Sequence, residues 1–133
     1  MPTALIIDDD PSVREALART LEKMGFAVRF AVDGIEGLNA YRADPVDLVI
    51  TDIIMPRANG VETIRALRAE FPNVRILAIS GGGNFGPISY EPGAITTTAY
   101  LAAAEKAGAD AILTKPFNRS ELRAQVKQVL EKT

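Results

Sequence analysis

The stretch Leu48–Pro56 reads LVITDIIMP: an apolar run delivers a single carboxylate, Asp52, and Pro56 then stops it. An unpaired charge buried on such a run costs several kcal/mol, so this carboxylate belongs at a strand end that opens into a crevice. Two more acids, Asp8 and Asp9, close the apolar run Thr3–Ile7. A hydroxyl, Ser80, ends the run Arg75–Ile79, and an ammonium, Lys115, follows the run Ala111–Thr114. Carboxylates gathered at one point repel by about 4 kcal/mol per pair at roughly 4 Å and an effective dielectric near 20, so they call for a cation. The chain has no His and no Cys. That removes thiolate sites, the common zinc sites and His-based acid–base catalysis. Oxygen ligands alone suit Mg²⁺, which keeps waters that a phosphate can replace. With Mg²⁺ and Lys115 neutralising phosphoryl oxygens, and Ser80 donating to the phosphoryl group, Asp52 is suited to accept phosphate. Such transfer is mostly positioning and charge stabilisation.

These residues need elements that bring them to one place. Thr3–Ile7 reads as a first strand, and Asp10-Pro11 as a capped helix start. Val13, Leu17, Thr20 or Leu21, and Met24 then recur at helical spacing, and Gly25 closes the helix. Ala27–Ala31 is a second strand, mixed in polarity and so an edge. Asp33-Gly34 turns into a helix carrying Ile35, Leu38 and Tyr41, which Asp44-Pro45 breaks. Leu48–Thr51 is the third strand. Gly60 precedes a helix with Val61, Ile64, Leu67 and Phe71 three or four apart. Arg75–Ile79 is the fourth strand. The breaker-rich stretch 81–93 follows, then an alanine-rich helix over Thr96–Ala107 capped by Gly108, and a fifth strand over Ala111–Thr114. Asn118 with Glu121 three on forms a capping box for a last helix marked by Leu122, Val126, Val129 and Leu130.

Strands alternating with helices predict an α/β, doubly wound parallel sheet with helices on both faces. The first, third, fourth and fifth strands are continuous apolar runs, as expected of strands covered on both sides. Ligands in such sheets bind beyond the carboxyl ends of the strands. Asp8, Asp9, Asp52, Ser80 and Lys115 all fall on that edge. A length of 133 residues and an apolar share of 47% fit one domain with a real core. No apolar run is long enough to span a membrane. The start, MPTALIIDDD, lacks the basic segment of a signal peptide, so a cytoplasmic location is expected. Basic residues are scattered and the net charge is −2, which speaks against direct nucleic-acid binding.

The ordered set IIDDDP, VITDIIMP, LAISG and LTKPF resembles that of a response-regulator receiver domain of two-component signalling, over essentially the whole chain. The resemblance implies a flavodoxin-like strand order 2-1-3-4-5. It implies that Asp52 accepts a phosphoryl group from a phosphohistidine on a partner histidine kinase or phosphotransfer protein, and that the chain is no enzyme beyond its own phosphorylation and dephosphorylation. Asp9 and Asp52 would ligate Mg²⁺, with Asp8 helping through water and the Ile54 carbonyl adding a ligand. Ser80 would be the switch hydroxyl, Lys115 would pair with the phosphate, and Pro116 would follow it through a cis bond. The response would change the surface near the fourth helix and fifth strand, for an effector protein, in a monomer or weak homodimer.

Two features depart from the family pattern. Ser80 and Lys115 are 115 − 80 = 35 positions apart, longer than usual, and the surplus falls in 81–93, a length often functional in loops. Three residues before the lysine, where many receivers carry an aromatic, stands Ile112; Phe85, Tyr90 and Tyr100 are candidates to replace it. Two other readings are open. A pseudo-receiver would bind partners without phosphate. A small phosphatase of haloacid-dehalogenase type would use Asp8, Asp10 and Ser12, and replacing Asp8 rather than Asp52 would then abolish covalent labelling.

Overall fold

The computed structural model describes residues 1–53, 60–80, 102–114 and 117–131. Their elements are β1 (Thr3–Ile7), α1 (Pro11–Lys23), β2 (Ala27–Ala31), α2 (Gly34–Ala43), β3 (Leu48–Asp52), α3 (Gly60–Glu70), β4 (Ile76–Ser80), a helical segment α4 over 102–107, β5 (Ala111–Thr114) and α5 (Arg119–Glu131). The sheet order is β2-β1-β3-β4-β5, and every neighbouring pair is parallel. This is the order that the sequence resemblance implied. Among the described residues no helix is long and apolar enough to cross a membrane.

Side chains of a strand alternate between faces, and the two cores follow that alternation. Leu5, Ile7, Val49 and Ile76 pack on one face with Tyr41, Ile64 and Leu67. Ala4, Ile6, Ile50 and Leu77 pack on the other with Leu17, Leu21, Leu122 and Val126. Each fully buried Leu or Ile contributes about 2 kcal/mol by removal from water. Because β1, β3 and β4 are covered on both faces, the carboxylates that end β1 and β3 project from a stiff, dry platform.

Helix ends are secured as the sequence suggests. Asp10 caps α1, accepting from the Ser12 backbone N–H at 2.9 Å and from its hydroxyl at 2.8 Å. Asp33 caps α2 through the Glu36 N–H at 2.8 Å. Asn118 and Glu121 exchange reciprocal bonds of 2.8 and 3.0 Å, the capping box expected for α5. Gly25 after α1 has φ +97°, which side-chain-bearing residues adopt only at a cost.

β5 is an edge strand among the described residues, as the order 2-1-3-4-5 implied, and its run reaches both cores, Ile112 on one face and Ala111 and Leu113 on the other, although only Leu113 is buried. Three expectations need correction. Ile35 is 64% exposed and does not join the core. The face that α2 turns inward is Gly34, Gly37 and Tyr41, and Gly37 lies so close to β1 that an added Cβ would meet Ile7 Cδ1 at 2.4 Å. Gly60 is the first residue of α3 rather than the residue before it. β4 runs one residue later than expected, from Ile76. The stretch 81–93, with Phe85 and Tyr90, lies outside the described residues, as do Tyr100, Pro116 and the first part of the fourth expected helix.

At the end of the sheet remote from the carboxylates, Arg68 of α3 ties two turns together. Its guanidinium donates to the carbonyls of Pro72 (2.7 Å) and Gly108 (2.8 Å) and to Asp110 Oδ2 (2.8 Å). Asp110 Oδ2 also accepts from the N–H of Ile76, which is fully buried. Asp110→Ala leaves the buried Ile76 N–H without its acceptor and removes one of the bonds that hold Arg68, and we expect it to cost about 2–4 kcal/mol. Urea unfolding checks this; a loss under ~1 kcal/mol would contradict the brace.

A second tie links α2 to α3. Arg42 donates from Nε to Glu70 Oε2 at 2.7 Å and from Nη2 to Oε1 at 2.9 Å. The hydrogen bond from Arg42 holds the Glu70 carboxyl below the usual carboxylate range. A depressed folded-state value gives stability that is present above the unfolded value and is lost as pH falls through the folded one. Both side chains are exposed, so the effect is small. Glu70→Gln is expected to lower Tm by no more than a few degrees at neutral pH and by nothing once the carboxylate is protonated, as thermal scans across acid pH will show.

Candidate functional site

β1 and β3 lie side by side with Ile7 level with Thr51, so the next residues, Asp8 just past β1 and Asp52 at the end of β3, stand together at the sheet's edge. The chain crosses from β1 to β2 on one side, while β3 and β4 lie on the other. The crevice beyond this reversal is where ligands of doubly wound sheets bind. One oxygen from each of Asp8, Asp9 and Asp52 lies within 4.8 Å of the others. Asp8 is 2% exposed and Asp52 6% exposed, while Asp9 faces solvent.

The backbone around each acid is pinned. The Asp8 N–H donates to the Ala31 carbonyl at 3.1 Å, extending the ladder one residue past β1. Asp8 Oδ1 accepts from the Asp10 N–H at 2.9 Å, and Arg14 Nη1 donates to the Asp8 carbonyl at 2.7 Å. Beyond Asp52, the Ile53 N–H donates to the Ile79 carbonyl at 2.9 Å. The buried Thr51 hydroxyl donates to the Asp52 carbonyl at 3.1 Å. The Gly60 N–H donates to the Ile53 carbonyl at 2.8 Å, so the first turn of α3 closes directly over the end of β3.

Three carboxylates at this spacing repel by about 3–4 kcal/mol per pair at an effective dielectric near 20. A divalent cation among them reverses the sign of that term. The donor set is all oxygen, two members are shielded and the third is open to water. Such a set fits Mg²⁺, which binds through a few carboxylates and leaves room for a phosphate oxygen.

The sequence therefore located three acids that the fold brings together. Ser80 is the last residue of β4, level with Thr114, the last residue of β5. Ile79 is level with Asp52, so the Ser80 backbone stands one residue beyond Asp52 on the adjacent strand. The Ser80 side chain, Ile54 and Lys115 lie outside what is described. Asp10 is the helix cap already noted. Ile112 is half-buried against the core on the α3 side of the sheet. Sequence reasoning missed Arg14 and the closeness of Gly60. An arginine on a helix face and a glycine at a helix start carry no signal until the packing is known.

Comparison with known proteins bears on the family and the fold. Residues 4–88 match the response regulator receiver domain family. Response regulator MprA of Mycobacterium avium is 35% identical over 129 residues, covering 97% of this chain. The chain spans about half the length of the curated relatives it matches, 51% in that case. The Vibrio cholerae chemotaxis protein CheY4 superposes with a TM-score of 0.79 at 27% identity, covering 97% of this chain and 98% of its own. The receiver domain of NtrX from Brucella abortus gives 0.81 at 25% identity, covering 98% and 99%. On the family match and the shared fold, this chain belongs to the response regulator receiver domains of two-component signalling.

Proposed function

We propose that residues 1–133 act as one receiver domain that takes a phosphoryl group onto Asp52 from a phosphohistidine of a partner histidine kinase or phosphotransfer protein, in the cytoplasm and with Mg²⁺. The observation that carries the proposal is the convergence of Asp8, Asp9 and Asp52 within 4.8 Å at the sheet's switch point. Asp8, Asp9 and Asp52, with the Ile54 carbonyl, would hold the ion, which when bound offsets charge on the phosphoryl oxygens. An Asp52 carboxylate oxygen attacks phosphorus, the P–N bond breaks, and its electron pair stays on the donor imidazole. Lys115 and the Ser80 hydroxyl would pair with the phosphoryl oxygens. The Asp52 side chain then carries about −2 where the carboxylate carried −1, and this biases the surface near α4 and β5 toward an effector protein. The chain's reactions are its own phosphorylation and dephosphorylation. The phosphatase reading loses support because Asp10, its required second acid, is engaged in capping α1.

Incubation with Mg²⁺ and acetyl phosphate, followed by intact mass, tests this. One added phosphoryl group is expected, and none when the metal is chelated. An unchanged mass in the presence of Mg²⁺ would favour a pseudo-receiver.

A further inference from the structure

Arg14, half-buried on α1, makes two contacts of different kinds. Its Nη1 donates to the Asp8 carbonyl at 2.7 Å, and its guanidinium carbon lies 5.9 Å from the centroid of the Phe30 ring. Phe30 is 49% exposed on edge strand β2, and with Pro11 and Ala18 it lines a shallow groove beside α1. A cation–π contact with a ring steadies a guanidinium.

The Asp8 carbonyl belongs to the peptide that joins two of the proposed ligands. The Asp8 N–H and carboxylate are already engaged by Ala31 and Asp10. Asp9 is exposed, so the backbone that carries it decides where its carboxylate points. Rotation of the Asp8–Asp9 peptide would swing Asp9 away from the other two acids. We propose that Arg14 is a positioning residue for metal binding: it locks this peptide, with Phe30 steadying the guanidinium, and so keeps Asp9 in the acidic cluster. The proposal rests on the Mg²⁺ site proposed above.

The sign of the effect separates positioning from simple charge. A cation next to the cluster competes with Mg²⁺, so removing it would tighten metal binding if electrostatics were all. Loss of a group that orients a ligand weakens it, commonly by about tenfold or more. Isothermal titration of the full chain with MgCl₂ decides between them. Arg14→Gln is expected to raise the Mg²⁺ Kd about tenfold. Phe30→Leu, which keeps the arginine and removes its cation–π partner, is expected to raise it about threefold. Arg19→Gln, the same charge change on α1 but at a residue paired with Glu15, is expected to leave it unchanged. Unchanged or tighter binding by Arg14→Gln would overturn the proposal. If that variant fails to fold, wild-type affinity in Phe30→Leu overturns it instead. An equal loss in Arg19→Gln would also overturn it. A wild-type chain that binds no Mg²⁺ would remove the metal site itself, an outcome distinct from the others.

Discussion

Asp52→Asn is expected to abolish labelling by acetyl phosphate completely while making the metal-free protein more stable. An amide has no nucleophilic carboxylate oxygen, and neither Asp8 nor Asp9 can take over without the geometry that Asp52 provides. The gain in stability follows from the burial of like charges. Asp52 is 6% exposed, with two further carboxylates within 4.8 Å. Removing one charge relieves two repulsions, each about 3–4 kcal/mol at an effective dielectric near 20 before neighbouring groups relax. A net stabilisation of about 1–3 kcal/mol is expected, which for a domain of this size is a rise in Tm of several degrees. Mg²⁺ should erase the advantage. At a hundred times its Kd, the ion stabilises the wild-type chain by about 2.7 kcal/mol and stabilises the variant less. Thermal scans with and without Mg²⁺, beside intact mass, check both halves. An Asp52→Asn variant that still gained phosphate, or that was destabilised without metal, would contradict the assignment of Asp52.

The acids were legible in the sequence because each ends an apolar run, and parallel strands expose all their carboxyl ends on one edge. Helix starts were legible for a similar reason. Asp10-Pro11 and Asn118 with Glu121 are local chemistry, satisfied within one turn of chain. α2 was harder. Of its large apolar residues Tyr41 is buried and Leu38 packs against the core as read, but Ile35 points to water, and the helix meets the sheet most closely through Gly34 and Gly37. Periodicity reads where a side chain is large; it cannot read that a helix approaches a sheet through the lack of one. β5 shows a milder limit. Its apolar run reaches both cores as read, yet only Leu113 is buried, and the edge position that goes with this exposure is given by sheet order and not by local pattern. Arg14 was invisible for want of its partners, which lie at Asp8 and across on β2 at Phe30.

Gly60 shows how far such hidden packing can matter. A Cβ there would stand 2.2 Å from the Asp52 carbonyl oxygen, 2.6 Å from Ile53 Cα and 2.9 Å from the Ile53 carbonyl oxygen. All three are backbone atoms, and that backbone is tied to β4 by the bond from Ile53 N–H to the Ile79 carbonyl. None can swing aside as a side chain does. Gly37 is the contrast: an added Cβ there meets the flexible tip of Ile7. Helix propensity alone would make Gly60→Ala stabilising by about 1 kcal/mol. The clash should outweigh that and leave a net loss of about 2–4 kcal/mol, because either α3 or the end of β3 must move. Since the atoms displaced carry Asp52, the damage should reach the site. Mg²⁺ should then stabilise the alanine variant less than wild type in urea unfolding, and phosphoryl uptake should slow. Gly37→Ala should lose stability without either consequence. A Gly60→Ala chain as stable as wild type, with full metal response, would mean that the end of β3 is far more pliable than its hydrogen bonds imply.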